Sequence, residues 1–245
     1  MKTGGVYDPY ESVNRSIHEF NKDIDTAFFG PTSKGYTKIV PDPIEDSFVY
    51  FSKNVSMPRV AMNALLQGDL RTFGIALGRF TINTTVGFAG LADPATDFKL
   101  PQVDADFGQT LHVWGFEEGA YVELPFLGPS NVRDTVGFVG DFGLNPLEYV
   151  VANPIQNVGV YSKILEWMSD RGRFSDTVES ILYESADSYA QTRLLYTQNR
   201  RFELGAGMDD AVDPYGDPYA DPYSDPYSDP YADPYSDLSE DPYAE

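Results

Sequence analysis

The apolar positions of this chain fall mostly at helical spacing, and stretches that alternate apolar with polar are scarce. In residues 7–30 a turn at Asp8-Pro9-Tyr10 precedes Val13, Ile17, Phe20, Ile24 and Phe28, which share one face of a helix that Ser12 can cap. Residues 31–43 read as a loop. Pro43 suits the first position of a helix over residues 44–56, and Pro58 starts another that Gln67-Gly68-Asp69 breaks after Leu66. Residues 70–86 carry apolar side chains round most of the helix circumference, with Gly74 and Gly78 four apart. A helix of that kind is buried in protein or faces lipid, and small residues at that spacing let another backbone approach. It should be more buried, in protein or lipid, than the helix at 154–170.

Residues 92–101 read as a loop and 105–114 as a short helix with Phe107, Leu111 and Trp114 on one side. Residues 121–124 are extended. Beyond Pro125 a Gly-Pro turn, Gly128-Pro129, leads into a helix over 131–142 with Arg133 and Asp134 in its first turn. Its Gly137 and Gly140 read as packing positions. Residues 154–170 form an amphipathic pattern through Ile155, Val158, Leu165 and Met168. The longest pattern, 176–202, ends in Arg200 and Arg201, where cations suit a helix carboxyl end. The body is therefore mainly α.

The pattern changes character after residue 204. Asp-Pro-Tyr recurs at 213–215, 217–219, 221–223, 225–227, 229–231, 233–235 and 241–243. A proline every fourth residue removes amide donors and blocks helix, and the segment has too little aliphatic surface for a core. The expected organisation is a leader or tether remnant at 1–6, a helical domain at 7–204, and a disordered acidic tail at 205–245. A body of about 200 residues buries enough surface to need no staples.

Charge and composition then exclude whole classes. The formal charge is −21, and residues 209–245 hold ten Asp and two Glu without Lys or Arg, so the tail carries −12 and the rest −9. Neither part suits nucleic acid, whose binding needs cations that displace counterions. Cysteine is absent and only His18 and His112 are present, so no Cys-based or His-rich metal site is expected. No apolar run approaches the roughly 20 residues of a transmembrane helix. The tail aspartates lie on an open, Pro-stiffened repeat that cannot wrap a calcium ion. There is no Gly-x-Ser-x-Gly elbow, Walker A loop or Gly-x-Gly-x-x-Gly fingerprint. Asp93, Asp97, Asp104, Asp106, Glu117 and Glu118 supply many carboxylates, most of them read as solvated charge, and His112 reads as a hydrogen-bonded residue of the core. No cofactor and no catalytic set are expected.

What remains is a series of short motifs in order. Asp8-Pro9-Tyr10-Glu11-Ser12-Val13-Asn14-Arg15 is followed by Phe20-Asn21, then Leu66-Gln67-Gly68-Asp69. Arg79-Phe80-Thr81-Ile82-Asn83-Thr84-Thr85-Val86-Gly87 leads to Gly90 and Asp93-Pro94-Ala95. Phe107-Gly108-Gln109-Thr110-Leu111 precedes Trp114-Gly115. Tyr121 leads into Leu124-Pro125-Phe126-Leu127-Gly128-Pro129-Ser130-Asn131-Val132-Arg133-Asp134, and residues 189–201 match more weakly. Over residues 8–201 the chain resembles the MlaA/VacJ family, outer-membrane lipoproteins that move phospholipids in Gram-negative bacteria.

The resemblance implies a single ring- or disc-shaped helical domain with a central channel, lying in the inner leaflet of the outer membrane. It implies removal of mislocalised phospholipid from the outer leaflet and its delivery to a soluble periplasmic carrier, with a trimeric porin holding the ring. Departures are the missing lipid-bearing cysteine before Asp8, His112 in place of a small residue, Ala120 in place of proline, and the acidic Phe116-Glu117-Glu118. Asn14, Phe20, Asn21 and Asn83 are the expected lipid-path residues, because amides on apolar helical segments need polar partners. Asp8, Pro9, Arg15, Arg79, Asp93, Gly108, Gln109, Pro125, Gly128, Pro129, Arg133 and Asp134 are expected to hold the fold, with Arg79–Asp93 and Arg133–Asp134 as pairs or caps. Competing readings are a lipid hydrolase and a structural envelope lipoprotein that binds partners through its Tyr-rich tail.

Overall fold

The computed structural model describes residues 6–147 and 156–205. Helix α1 (Glu11–Ile24) starts at Tyr10 with no side-chain cap, so Ser12 lies inside the helix and does not cap it. It runs through a wider π-turn (Asp25–Phe29) into α2 (Gly30–Ile39). A loop was expected at 31–43. The helix continues instead because Pro31 sits in its first turn, where a missing amide is no loss. Helix α3 (Asp42–Gln67) is likewise one helix with Pro58 inside it, where two were expected. It packs along α4 (Leu70–Thr85), and such tertiary contact outweighs the one backbone bond that Pro58 forfeits. Gly68, at φ 76°, ends α3, and the Gly68 and Asp69 amides reach back to the Leu65 and Ala64 carbonyls. Asp69 then caps α4 by accepting from the Thr72 amide at 2.9 Å.

A short α5 (Pro94–Asp97) interrupts the expected loop, and α6 (Phe107–Val113) follows. Strands β1 (Tyr121–Leu124) and β2 (Gly128–Asn131) pair antiparallel from Tyr121↔Asn131 to Leu124↔Gly128. The turn is therefore Pro125-Phe126-Leu127, and Gly128-Pro129 belongs to the returning strand, where a turn was expected. Helix α7 (Val132–Leu144) begins at Asn131, whose side chain accepts from the Asp134 amide at 2.8 Å. Helix α8 (Gln156–Arg173) packs on α2 and α3. The long final helix expected at 176–202 is broken. Helix α9 (Ser175–Glu179) passes into a second π-turn (Ser180–Glu184), Ser185 is extended, and Asp187 caps α10 (Ser188–Glu203).

The apolar core is small and built from small side chains. Met57, Val60, Ala61 and Ala64 of α3 meet Ala76 of α4 and Ala105, with Phe73, Phe80 and Val103 at the margin. The close approach expected at Gly74 and Gly78 is absent: open space lies over Gly74, and only a Leu100 methyl lies over Gly78, at 3.4 Å. Close backbone packing occurs between α6 and α7. A Cβ on Gly137 would lie 2.4 Å from the Gly108 amide nitrogen, and one on Gly140 2.4 Å from the Phe107 ring. The Asp-Pro-Tyr tail, residues 1–5 and the start of the helix expected at 154 lie outside the described residues.

Candidate functional site

Helix α1 shows how this molecule departs from a water-soluble bundle. The apolar stripe read from its spacing faces outward: Val13 is 57% and Phe20 42% exposed, while Asn14 and His18 are 3% and 2% exposed. The same inversion holds across the fold. Among the described residues, twenty polar or charged side chains are buried against eleven apolar ones. Large apolar side chains stand outside on nearly every helix, among them Phe28, Ile39, Leu70, Leu77, Val139 and Trp167. Exposed apolar patches of more than a few hundred Å² mark contact with another phase or partner. Among the described residues no helix is long and apolar enough to cross a membrane.

Four clusters stand out among the buried polar groups of the described residues. In the first, α1 acts as a third strand for the hairpin. Asn14 donates to the Tyr121 carbonyl at 3.1 Å, accepts from the Glu123 amide at 3.0 Å, and donates to Asp8 at 2.9 Å. Asn21, two turns on, donates to the Leu124 carbonyl at 3.0 Å and accepts from the Phe126 amide at 2.8 Å. That grip holds Phe126 at φ 66°, a left-handed conformation costly for a bulky residue, and the Phe126 ring meets Phe20 edge-on at 5.4 Å. Pro125 opens the turn and Pro9 the entry to α1, both exposed. Asp8 also accepts from Tyr189 and, at 2.6 Å, from Arg193. Arg15 forks onto Asp187 at 2.8 and 3.0 Å and lies over the Tyr189 ring, and that bond holds the Asp187 carboxyl down at about 2.

Behind these lies a row that the sequence did not reveal. His18 Nε2 is 3.1 Å from Ser188 Oγ, and its Nδ1 is 3.3 Å from Glu123, which also accepts from Tyr121. Burial, then Glu123, hold the Tyr121 phenol far above its usual value. A serine, histidine and carboxylate in line invite comparison with a hydrolase relay. All three are buried. The one available hint is spacing: His18 lies four residues after Asn14, on the same helix face.

The second cluster centres on Arg79, which places both carboxylate oxygens of Asp93 at 2.7 Å and reaches the Leu100 carbonyl at 2.5 Å. Asn83 donates to Asp93 at 2.8 Å and accepts from the Ala95 amide at 3.0 Å. Burial raises the Asp93 carboxyl, but Thr96, Asn83 and Arg79 together bring it below its ordinary value.

The third cluster joins α6, α7 and α10. Asp106 and Gln109 cap α6 reciprocally, with the Gln109 amide 2.8 Å from Asp106. Arg133 reaches Asp134 at 3.0 Å, and Arg200 bridges Asp134 at 2.8 Å to Asp106 at 2.7 Å. Gly108 lies beneath this bridge, where a Cβ would meet Asp134 at 2.6 Å. His112 stands beside Arg133, and burial followed by that charge lowers its pKa. The fourth cluster ties α3 and α2 to α8. Ser52 donates to Glu166 at 2.5 Å, Arg173 reaches Glu45 at 2.6 Å, and Arg171 forks onto Asp25 at 2.7 and 2.9 Å.

The amides of Asn14, Asn21 and Asn83 are thus each used by protein partners, so the need for a polar partner that pointed them at lipid is met inside the fold. Asn14, Phe20 and Asn21 come together against the hairpin, and Asn83 stands apart on α4, bonded to Asp93. Among the described residues no cluster of His, Asp and Glu has a metal-holding arrangement.

A helical body with polar clusters inside and apolar side chains outside, carrying these motifs in this order, matches one family closely: the model of the MlaA lipoprotein family covers residues 6–203. The chain belongs to the MlaA lipoprotein family. The intermembrane phospholipid transport system lipoprotein MlaA of Escherichia coli is 32% identical over 207 residues, 83% of this chain and 80% of that protein. Its namesake in Haemophilus influenzae is 29% identical over 206 residues, 82% of this chain and 80% of that protein. An uncharacterised Rickettsia bellii protein is 35% identical over 197 residues, 80% of this chain and 76% of that protein. A solved structure described as the structural basis for maintenance of bacterial outer membrane lipid asymmetry matches with a TM-score of 0.68 at 28% identity. It covers 80% of this chain and 98% of the other. The mainly helical fold is shared with it.

Proposed function

We propose that this chain is a phospholipid-transport component of the outer membrane. It collects mislocalised phospholipid from the outer leaflet and passes it to a soluble periplasmic carrier, and so maintains lipid asymmetry. The observation that carries this reading is the inverted burial: apolar side chains outside, ion pairs and amides inside. Such a body suits one leaflet, with its apolar surface solvated by acyl chains; among the described residues no helix is both long and apolar enough to cross a membrane. A head group crosses hydrocarbon only at large cost, so a polar path through a helical ring lowers that barrier while the chains stay in apolar surroundings. The names of the Escherichia coli and Haemophilus influenzae relatives support the same substrate. A trimeric porin is the proposed scaffold, and a lipid anchor on the precursor would hold the protein at the periplasmic face. The body would be residues 7–204, with the tail a separable tether.

The test is lipid extraction of membrane-purified protein followed by mass spectrometry, with leaflet asymmetry scored in cells that lack their native copy. Co-purified phospholipid and restored asymmetry are expected. Release of fatty acid from phospholipid vesicles would favour a hydrolase instead. Loss of asymmetry on deleting residues 209–245 would favour a tail-binding envelope protein. At the proposed lipid path, changing Phe20 and Asn21 together should release the turn at Phe126 and place phospholipid in the wrong leaflet while the protein stays folded.

A further inference from the structure

Beside the Arg79 cluster lies a shallow, open crevice walled by Lys53, Asn54, Arg79, Asn83, Asp93 and Gln102. Two polar groups there, the Asn54 amide oxygen and the Lys53 ammonium, have no partner among the described residues. Asn54 is 3% exposed, and its Nδ2 donates to Thr84 at 3.0 Å, yet its Oδ1 has no partner. A buried acceptor left bare is costly. Lys53, its neighbour on α3, is exposed and takes part in no ion pair among the described residues, although most basic side chains of the body do. Asp170 is within electrostatic reach but not in contact. Arg79 and Asp93 neutralise each other at 2.7 Å, and Gln102 donates to Asp93 at 3.1 Å. The lining therefore carries one net positive charge, from Lys53, in a chain whose formal charge is −21.

We infer that this crevice is a head-group subsite, with Lys53 holding the phosphodiester and Asn54 Oδ1 accepting an N–H or O–H from the group beyond it. This rests on the phospholipid-transport reading and adds a selectivity to it. Ethanolamine and glycerol head groups offer the donor, whereas choline offers none. A lipid without phosphate gains nothing from Lys53. The ammonium–phosphate contact is a charge-assisted hydrogen bond, stronger than a neutral one.

The experiment uses the full chain, delipidated in detergent and incubated with vesicles of phosphatidylethanolamine, phosphatidylcholine or diacylglycerol. Retained lipid is counted by native mass spectrometry. Phosphatidylethanolamine is expected to exceed diacylglycerol by about tenfold, with phosphatidylcholine between them. Lys53→Ala should erase the advantage over diacylglycerol, and Lys53→Arg should restore it. Lys53 is exposed, so these variants test the site without opening the core. Equal retention of phosphatidylethanolamine by wild type and Lys53→Ala would overturn the subsite alone. Phosphatidylcholine retained as well as phosphatidylethanolamine would overturn the role of Asn54. Saturable binding of labelled inorganic phosphate without any lipid preference would assign the crevice to free phosphate and overturn the proposal. Wild type that retains no lipid of any kind would instead sink the transport reading beneath it.

Discussion

Asn14 and Asn21 replace a strand. Seven residues apart on one helix, each spans a carbonyl and the amide two residues on, Tyr121 and Glu123 for Asn14, Leu124 and Phe126 for Asn21, so a helix face reads the edge of β1 and its turn. Losing Asn14 leaves a buried carbonyl at Tyr121 and a buried amide at Glu123 with no partner. Asn14→Leu should therefore destabilise the fold by roughly 2–5 kcal/mol. Asn21→Ala, at a half-exposed site, should cost about 1–2 kcal/mol. Chemical denaturation in a membrane mimic separates the two, and equal losses would argue against burial as the deciding factor. Gly137 makes a second residue-scale claim. A methyl there would sit 2.4 Å from the Gly108 nitrogen, so α6 and α7 must part or α7 must shift. Gly137→Ala should cost roughly 1–3 kcal/mol through overpacking, whereas Gly74→Ala, over open space, should be neutral or stabilising. The asparagines were visible in the sequence as polar residues on otherwise apolar helical segments. Their partners on the hairpin are backbone atoms more than 100 residues away, which no local pattern announces.

At the scale of elements, the signals that succeeded were local. Gln67-Gly68-Asp69 ended α3 where a break was read, and the short helix α6 formed where Phe107 and Leu111 placed it. Two of the failures concern proline read as a breaker: Pro31 sits in the first turn of α2, where its missing amide is no loss, and Pro58 sits inside α3, which packs along α4. The break in the expected helix at 176–202, at a π-turn and the extended Ser185, had no Pro or Gly to announce it. The junction of α6, α7 and α10 depends on charges that single helices could not display, because Asp106, Asp134 and Arg200 meet only after folding. Its acid response follows. Burial raises the Asp134 carboxyl, but hydrogen bonds from Arg200 and Tyr196 and the charge of Arg200 bring it below its ordinary value. A carboxyl lowered by folding stabilises the folded state above its unfolded value of about 3.9, and that contribution is lost as pH falls through the folded value. The melting temperature should therefore drop below about pH 4. Asp134→Asn should lower stability at pH 7 and flatten that acid limb, and an unchanged limb would place the acid sensitivity elsewhere.

For the whole molecule, burial is the property that composition conceals. A chain with formal charge −21 looks soluble, yet much of that charge lies in residues 209–245 and many charges of the body pair inside. Much of what faces outward is aliphatic and aromatic, beside a share of exposed charge. The apolar residues of α4 were visible as a nearly complete ring, and the structure leaves Leu70 and Leu77 uncovered by protein, which is the arrangement lipid would complete. The two tryptophans report on this directly. Trp114, anchored by its indole N–H on the Leu66 carbonyl at 3.1 Å, is 51% exposed, and Trp167 of α8 is 40% exposed. If the outward surface is solvated by acyl chains, both should emit from an apolar setting in zwitterionic vesicles and be quenched by brominated lipid. Phe substitution at each position in turn resolves the two signals. Zwitterionic vesicles are the right choice because the excess negative charge opposes anionic surfaces, so added anionic lipid should weaken association at low salt. Trimming residues 209–245 removes a charge of −12 and should relieve most of that salt-dependent repulsion while leaving the quenching unchanged. Quenching that vanished with the tail would mean that the Tyr-rich repeat, and not the helical body, holds the protein at the membrane.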